Sequence, residues 1–213
     1  QRVIEEKLGY AFYPDSILEE NPNIAYQGNP DRYYARYRYT YKNKLSYGVT
    51  AEKDAGETFF RANNKQGFDF YSAHLMVKDL GLVKTIVVGD FHANFGQGLT
   101  MWSGFNMGKS ADVLNVKRYA RGLKKYSSVN ESNFMRGVGV KLQKNKLDLT
   151  VFGSHKKIDA NVNSSDTLFN NGEGGITSFQ STGFHRTPGE LEDVDAVQQT
   201  IIGAATHFTG DNL

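Results

Sequence analysis

The sequence predicts an all-β fold: an antiparallel, up-and-down transmembrane β-barrel, of which this chain holds a fragment. Three observations point there. Long stretches alternate apolar and polar residues with a period of two, as strands with two different environments do. The predicted strands exceed the roughly 5–6 residues usual in soluble sheets and suit the roughly 9–11 residues of a tilted membrane crossing. The connections between them alternate between short and long, as in outer-membrane barrels.

The first hairpin shows the alternation best. Along Arg32-Tyr33-Tyr34-Ala35-Arg36-Tyr37-Arg38-Tyr39-Thr40-Tyr41, the tyrosines 33, 37, 39 and 41 share one face with Ala35. Arg32, Arg36 and Arg38 share the other. After a turn at 42–44, Leu45, Tyr47, Val49 and Ala51 alternate with Ser46, Gly48, Thr50 and Glu52. Folding about Asn43 sets Tyr39 opposite Tyr47, Tyr37 opposite Val49, and Arg32 opposite Asp54, so both faces match. A slip by one residue ruins both.

Two further hairpins follow the same rule. Tyr71, Ala73, Leu75 and Val77 form one face, turn at 79–82, and are expected to meet Val83, Thr85, Val87, Gly89 and Phe91. Val138, Val140 and Leu142 turn at Lys144-Asn145 and meet Leu147, Leu149 and Val151, with Lys141 opposite Asp148 and Phe152 opposite Gly137. Short connections fall at 42–44, 79–82, 144–145 and 209–211. Long ones fall at 55–67, 96–132 and 156–197 and are expected to face outside the cell. Ser178 to Phe184 reads as a strand within the last excursion, Glu190 to Gln198 as a short helix, and Thr200 to Phe208 as a crossing. The barrel segment is thus 32–213, with about seven crossings and the start of another. Residues 1–31, with Pro14, Pro22 and Pro30, read as an irregular lead-in in which Tyr10 to Tyr13 forms a short strand.

The pattern assigns lipid-facing positions to Tyr37, Tyr39, Val49, Leu75, Val87, Val140 and Leu149. It assigns lumen-facing positions to Arg36, Arg38, Glu52, His74, Asp90, His92, Lys141 and Asp148.

Bulk properties are compatible with this class. The 213 residues suffice for one large β domain, and no stretch approaches the roughly 18 apolar residues of a membrane helix. A mean hydropathy of −0.52 therefore excludes a helical membrane protein, but not a barrel whose strands are apolar at alternate positions only. A net charge of +2 is too balanced for a dedicated nucleic-acid binder. The absence of cysteine removes disulfides and thiolate metal sites. The first residue is Gln1 and no signal-peptide pattern follows, so the chain is expected to be part of a longer mature polypeptide.

Motifs with chemical potential are few. Gly104-Phe105-Asn106-Met107-Gly108-Lys109-Ser110 resembles a phosphate loop, but three residues separate the first Gly from Gly-Lys-Ser where that loop needs four. Phe95 and Trp102 are candidates for stacking on a sugar or base, or for anchoring at the outer rim. Lys117, Arg118, Arg121, Lys124 and Lys125 form the densest basic run, suited to lipopolysaccharide phosphates, nucleic acid, a partner protein or plain solvation. His74 and His92 share the presumed interior with Asp90 and Asp148 but show no metal-ligand spacing. His155, His185 and His207 have no evident partners. No serine elbow, paired-carboxylate motif or catalytic triad is visible, so neither an enzyme nor a cofactor is expected.

Several segments together resemble a family. They are Tyr37 to Tyr41 with Lys44 to Glu57, Gly67 to Leu75, Phe95-Gly96-Gln97-Gly98-Leu99 with Trp102 to Phe105, Gly108-Lys109-Ser110, Tyr126-Ser127-Ser128, and Gly183-Phe184-His185-Arg186-Thr187. These resemble the barrel region of Bacteroidetes-type outer-membrane proteins that carry helix-hairpin-helix repeats before the barrel, over roughly residues 30 to 208. The resemblance implies an outer-membrane location and a periplasmic region related to DNA-uptake modules, but no activity and no catalytic residues. This chain contains no helix-hairpin-helix segment, so nucleic acid is expected only through regions outside it. The expected partners are outer-membrane lipid and other outer-membrane or periplasmic proteins. The expected role is non-enzymatic: a channel, a receptor surface or a member of a membrane assembly. A DNA-handling component is an alternative by family analogy, and a secreted glycan-binding β-sandwich is another.

Overall fold

The computed structural model describes residues 8–62, 64–103, 120–163 and 175–210. The fold is all-β and antiparallel. Its strands are β1 (Tyr33–Tyr41), β2 (Leu45–Lys53), β3 (Phe70–Leu80), β4 (Val83–Asn94), β5 (Gly122–Lys125), β6 (Met135–Lys144), β7 (Leu147–Ile158), β8 (Ala160–Asn163), β9 (Gly175–Phe179) and β10 (Val197–Phe208). Two short helices, α1 (Asp15–Glu20) and α2 (Pro188–Glu192), and a 3-10 turn at Pro22–Ile24 complete it. The main sheet runs in the order β1-β2-β3-β4-β6-β7-β10, with β5 paired to β4 off this path. Among the described residues this sheet is not closed. β8 and β9 form a separate two-stranded sheet.

Connections alternate along this order. β1–β2, β3–β4 and β6–β7 are joined by short turns, whereas β2–β3, β4–β6 and β7–β10 are joined by long segments. The chain divides into two compact bodies. One contains residues 1–35, 51–71 and 157–198; the other contains 36–50, 72–156 and 199–213.

The second body holds most of the main sheet. On β2, Ser46 and Thr50 are buried while Tyr47 and Val49 are exposed. On β3, Ser72, His74 and Met76 are buried while Leu75 is exposed. Tyr37 and Tyr39 of β1 lie against Tyr47, with ring centroids 6.1 and 5.2 Å apart. The expected outward positions of Tyr37, Tyr39, Val49 and Leu75 therefore share one exposed face.

The register of β4 differs from the expectation by one residue. The turn is the two-residue Gly81-Leu82, so Leu75 pairs with Val88 and Met76 with Val87. Cross-strand partners share a face. Val88 is therefore exposed beside Leu75, and Val87, expected to face lipid, is fully buried. Alternation moves Asp90 and His92 with it, onto the face of Val88 rather than the face of His74. β6 follows the same alternation, because Val138 pairs with Val88 and Gly139 with Val87.

The last hairpin is shifted by two residues. Its turn is Asn145-Lys146, Lys141 pairs with Thr150, and Gly139 with Phe152. A shift of two keeps every side chain on its predicted face. Val140 and Leu149 stay on the outer side, and Lys141 still reaches Asp148 diagonally at 2.7 Å.

An apolar cluster occupies part of the covered face. Met76, Val87, Phe91, Ala93, Leu123, Met135 and Phe152 are buried together, with Phe95, Met101 and Ile201 packed against them. β5 contributes Leu123 and lies beside β4 where Gly89 ends the pairing with β3. Gly89 has φ of +91°, and a Cβ there would lie 2.3 Å from the Ala73 carbonyl oxygen. No other residue type fits this close approach without strain.

The first body contains α1, α2, β8 and β9. Tyr10 to Tyr13, expected as a strand, are turn and irregular backbone. The short helix begins at Pro188, not Glu190, and the strand of the last excursion is Gly175–Phe179 rather than Ser178 to Phe184. Replacing Gly89 by Ala is expected to destabilise the sheet by about 1–3 kcal/mol, the usual cost of a strained backbone position, read as a lowered denaturant midpoint.

Candidate functional site

Two polar arrangements stand out, one in each body. In the second body the covered side of the sheet is polar away from the apolar cluster: Ser46, Thr50, Ser72, His74, Thr150 and Ser154 are all buried. Arg36 Nε lies 3.4 Å from Thr50 Oγ1, and Lys125 Nζ donates to Ser46 Oγ at 2.5 Å. Lys125, expected in a long loop as part of the basic run, thus faces the covered side of the sheet and reaches β2. Arg121 and Lys124 are exposed. Lys117, Arg118 and the Gly104 to Ser110 segment lie outside the described residues. The basic run is therefore not a single patch among the described residues.

Phe95 stacks on Phe152 with centroids 5.7 Å apart, so it serves the interior rather than an outer rim. Trp102 bridges to Asn94 as an isolated β-bridge and is half-buried. Asp90 receives both arms of Arg136, Nε at 2.7 Å and Nη2 at 3.0 Å, a bidentate pair between residues in register. His92 meets the edge of Tyr126 at 5.2 Å. Burial pushes the Tyr126 phenol up to about 12, so it stays a neutral donor, and it bonds the Asn130 carbonyl.

The first body carries the denser cluster. Glu57, in the connection between β2 and β3, is fully buried. One of its carboxyl oxygens accepts the backbone N–H of His185 at 2.9 Å, and the other accepts that of Asp54 at 2.7 Å. The His185 ring lies between two aspartates, Nδ1 at 3.2 Å from Asp69 Oδ2 and Nε2 at 3.1 Å from Asp159 Oδ2. Donor atoms of Glu57, Asp69 and His185 all lie within 4.8 Å of one another. Burial, and then the Asp69 carboxyl beside it, push the Glu57 carboxyl up to about 8.

The surrounding cations are already engaged. Arg32 bonds Glu52 and, through Nε at 3.0 Å, Asp54. Lys53 is fully buried and donates to Asn29 Oδ1 and the Asp31 carbonyl, each at 2.6 Å. Arg186 pairs with Glu190 at 2.8 Å and lies over the rings of Tyr26 and Phe184.

Local sequence explains how His185 is held. Thr187 and Glu190 form a complete capping box at the start of α2, with Pro188 in its first turn. Glu190 also accepts the Arg186 backbone N–H at 2.7 Å. A cleft of about 390 Å³, lined by Asp159, Gln180, His185, Arg186, Glu190 and Asp193 among others, adjoins the cluster. Gly28 approaches the Glu57 backbone so closely that a Cβ there would overlap its carbonyl.

Glu52 is buried, and the residue that satisfies it is Arg32, just before β1. The sequence has no local spacing that joins Glu57, Asp69, Asp159 and His185, which come from three separate connections. The Thr187-x-x-Glu190 spacing is the readable signal here, and it marks the helix start. No known family model, no curated protein and no solved structure matches this chain.

Replacing Thr187 by Ala is expected to cost about 1 kcal/mol, seen as faster amide exchange over residues 185–192. Burial raises the Glu190 carboxyl, but hydrogen bonds from Arg186 outweigh it and hold the group below its usual value. A depressed folded-state value means stability that is present above the ordinary glutamate pKa of about 4.5 and is lost as pH falls through the folded value. Acid unfolding of Glu190→Gln should therefore show a shallower pH dependence below that range than the parent chain.

Proposed function

We propose that this chain is a segment of a bacterial outer-membrane β-barrel with a non-enzymatic role. One observation carries this reading: the polarity of the main sheet is inverted relative to a water-soluble protein. Its exposed face bears Tyr37, Tyr47, Val49, Leu75, Val88, Val138, Val151 and Ile202, while its covered face, away from the apolar cluster, bears serines, threonines and a histidine. Soluble antiparallel sheets turn the apolar face inward and the polar face to water. An apolar outer band over a polar interior is the arrangement lipid selects. The long strands and the alternation of short and long connections point the same way, as does the resemblance to Bacteroidetes-type barrels.

The inner side of this sheet is narrowed where β5 and the apolar cluster lie, and Lys125 reaches toward Ser46 there. That favours a receptor surface or a member of a membrane assembly over a wide solute channel. A DNA-handling role finds less support, since the described part of the basic run divides between exposed Arg121 and Lys124 and engaged Lys125. A glycan-binding sandwich also finds less support, because Phe95 is packed against Phe152.

Heat-modifiability of the membrane-extracted protein tests the class: the folded form should migrate differently before and after boiling. Substitution separates the readings more finely. Leu75→Arg should cost about 2–4 kcal/mol in a bilayer if that face meets lipid. The same change on a water-exposed face stays within about 0.5 kcal/mol. Equal tolerance of Leu75→Arg and Leu75→Gln in lipid vesicles would overturn the reading.

A further inference from the structure

We infer that Glu57, Asp69 and His185 form a binding site for a divalent transition-metal ion, zinc by preference, with Asp159 orienting the histidine from behind. The inference concerns the first body alone and stands whether or not the main sheet closes in a membrane.

The argument starts from the histidine. Its Nε2 faces Asp159 and its Nδ1 faces Asp69, at 3.1 and 3.2 Å. A neutral imidazole has one N–H and one lone pair. If Nε2–H is donated to Asp159, the Nδ1 lone pair points at a carboxylate oxygen. That contact is repulsive unless a proton or a metal cation lies between them. Metal-bound histidines very commonly donate their other N–H to a carboxylate, which fixes the tautomer and raises the basicity of the ligating nitrogen. Asp159 stands where such a partner belongs. Asp159 in turn is fixed by the Asp195 backbone N–H, which donates to its other oxygen at 2.9 Å.

Asp69 supplies the second observation. Its side chain is only 4% exposed, and its Oδ1 is enclosed with no hydrogen-bond partner. A buried, unsatisfied carboxylate oxygen is costly, and chelation by a metal removes that cost. The third ligand is Glu57, whose two oxygens accept the backbone N–H groups of His185 and Asp54 and whose carboxyl lies against that of Asp69.

Spacing and charge agree. Zinc bonds of about 2.0–2.2 Å in a tetrahedron separate neighbouring donor atoms by about 3.3–3.5 Å, close to the Nδ1-to-Asp69 distance. One dication neutralises Glu57 and Asp69, while Lys53, Arg32 and Arg186 are engaged elsewhere. The donor set of one imidazole and two carboxylates suits zinc; calcium and magnesium take oxygen alone. Three protein ligands leave one coordination position for water or a ligand group.

The probe is zinc alone, added to the chelator-stripped whole chain. One zinc per chain should remain after desalting, measured by elemental analysis. Cobalt in its place should give the visible absorption of a low-coordinate nitrogen–oxygen site. His185→Gln and Asp69→Asn should each weaken zinc binding at least tenfold. Asp159→Asn should weaken it by about 10–100-fold while keeping one site, and His207→Gln should leave it unchanged. Far-UV circular dichroism confirms that each variant is folded. If His185→Gln fails to fold, Asp69→Asn and the cobalt spectrum of the parent chain decide. Zinc uptake well below one per chain, or affinity unchanged by Asp69→Asn, would overturn the site and leave a proton-linked contact in its place.

Discussion

The strict two-residue alternation of the main sheet is the constraint on which the rest of the structure depends. Successive side chains of a strand point to opposite sides, so one choice of facing fixes every residue of a hairpin and of the strands paired to it. Here that choice turns Tyr47, Val49 and Leu75 outward and Ser46, Thr50, Ser72 and His74 inward. Strand β4 transmits it from β3 to β6, through Leu75 against Val88 and Val88 against Val138. β7 then continues it through Val140 against Val151. The covered face, polar away from its apolar cluster, the exposed apolar band and the place where β5 lies all follow from this propagation.

Much of the sheet is legible in the residues, because the alternation is a local signal. The β1–β2 and β6–β7 hairpins keep their predicted faces, the latter despite a register shift of two. β4 defeats the same reasoning because its sequence carries no parity there. Thr85, Ile86, Val87 and Val88 are a threonine and three apolar residues in a row, and a continuous run does not say which side is which. Its facing is set by the length of the Gly81-Leu82 turn. A turn with an odd number of residues would place Val87 outward and Asp90 and His92 inward. The actual turn of two buries Val87 and sets Asp90 and His92 on the side opposite to it.

The His185 cluster is illegible for a different reason. Its side chains come from positions 57, 69, 159 and 185, which meet only after the long connections fold. No spacing rule links them. What the sequence does carry is the support: the Thr187 and Glu190 capping box that fixes the chain just after His185. The buried Lys53 is similar. Nothing in its neighbourhood signals burial, and only the folded lead-in, through Asn29 and Asp31, supplies its acceptors.

β4 has an unusual position, since it alone among the described strands pairs with three others, β3, β5 and β6. The backbone along Ile86–Ala93 is therefore held in a ladder closed on both sides for most of its length. Freeing β4 therefore requires ladders on both of its sides to break. The central strand acts as the keel of this sheet, with more neighbours to part from than any other described strand.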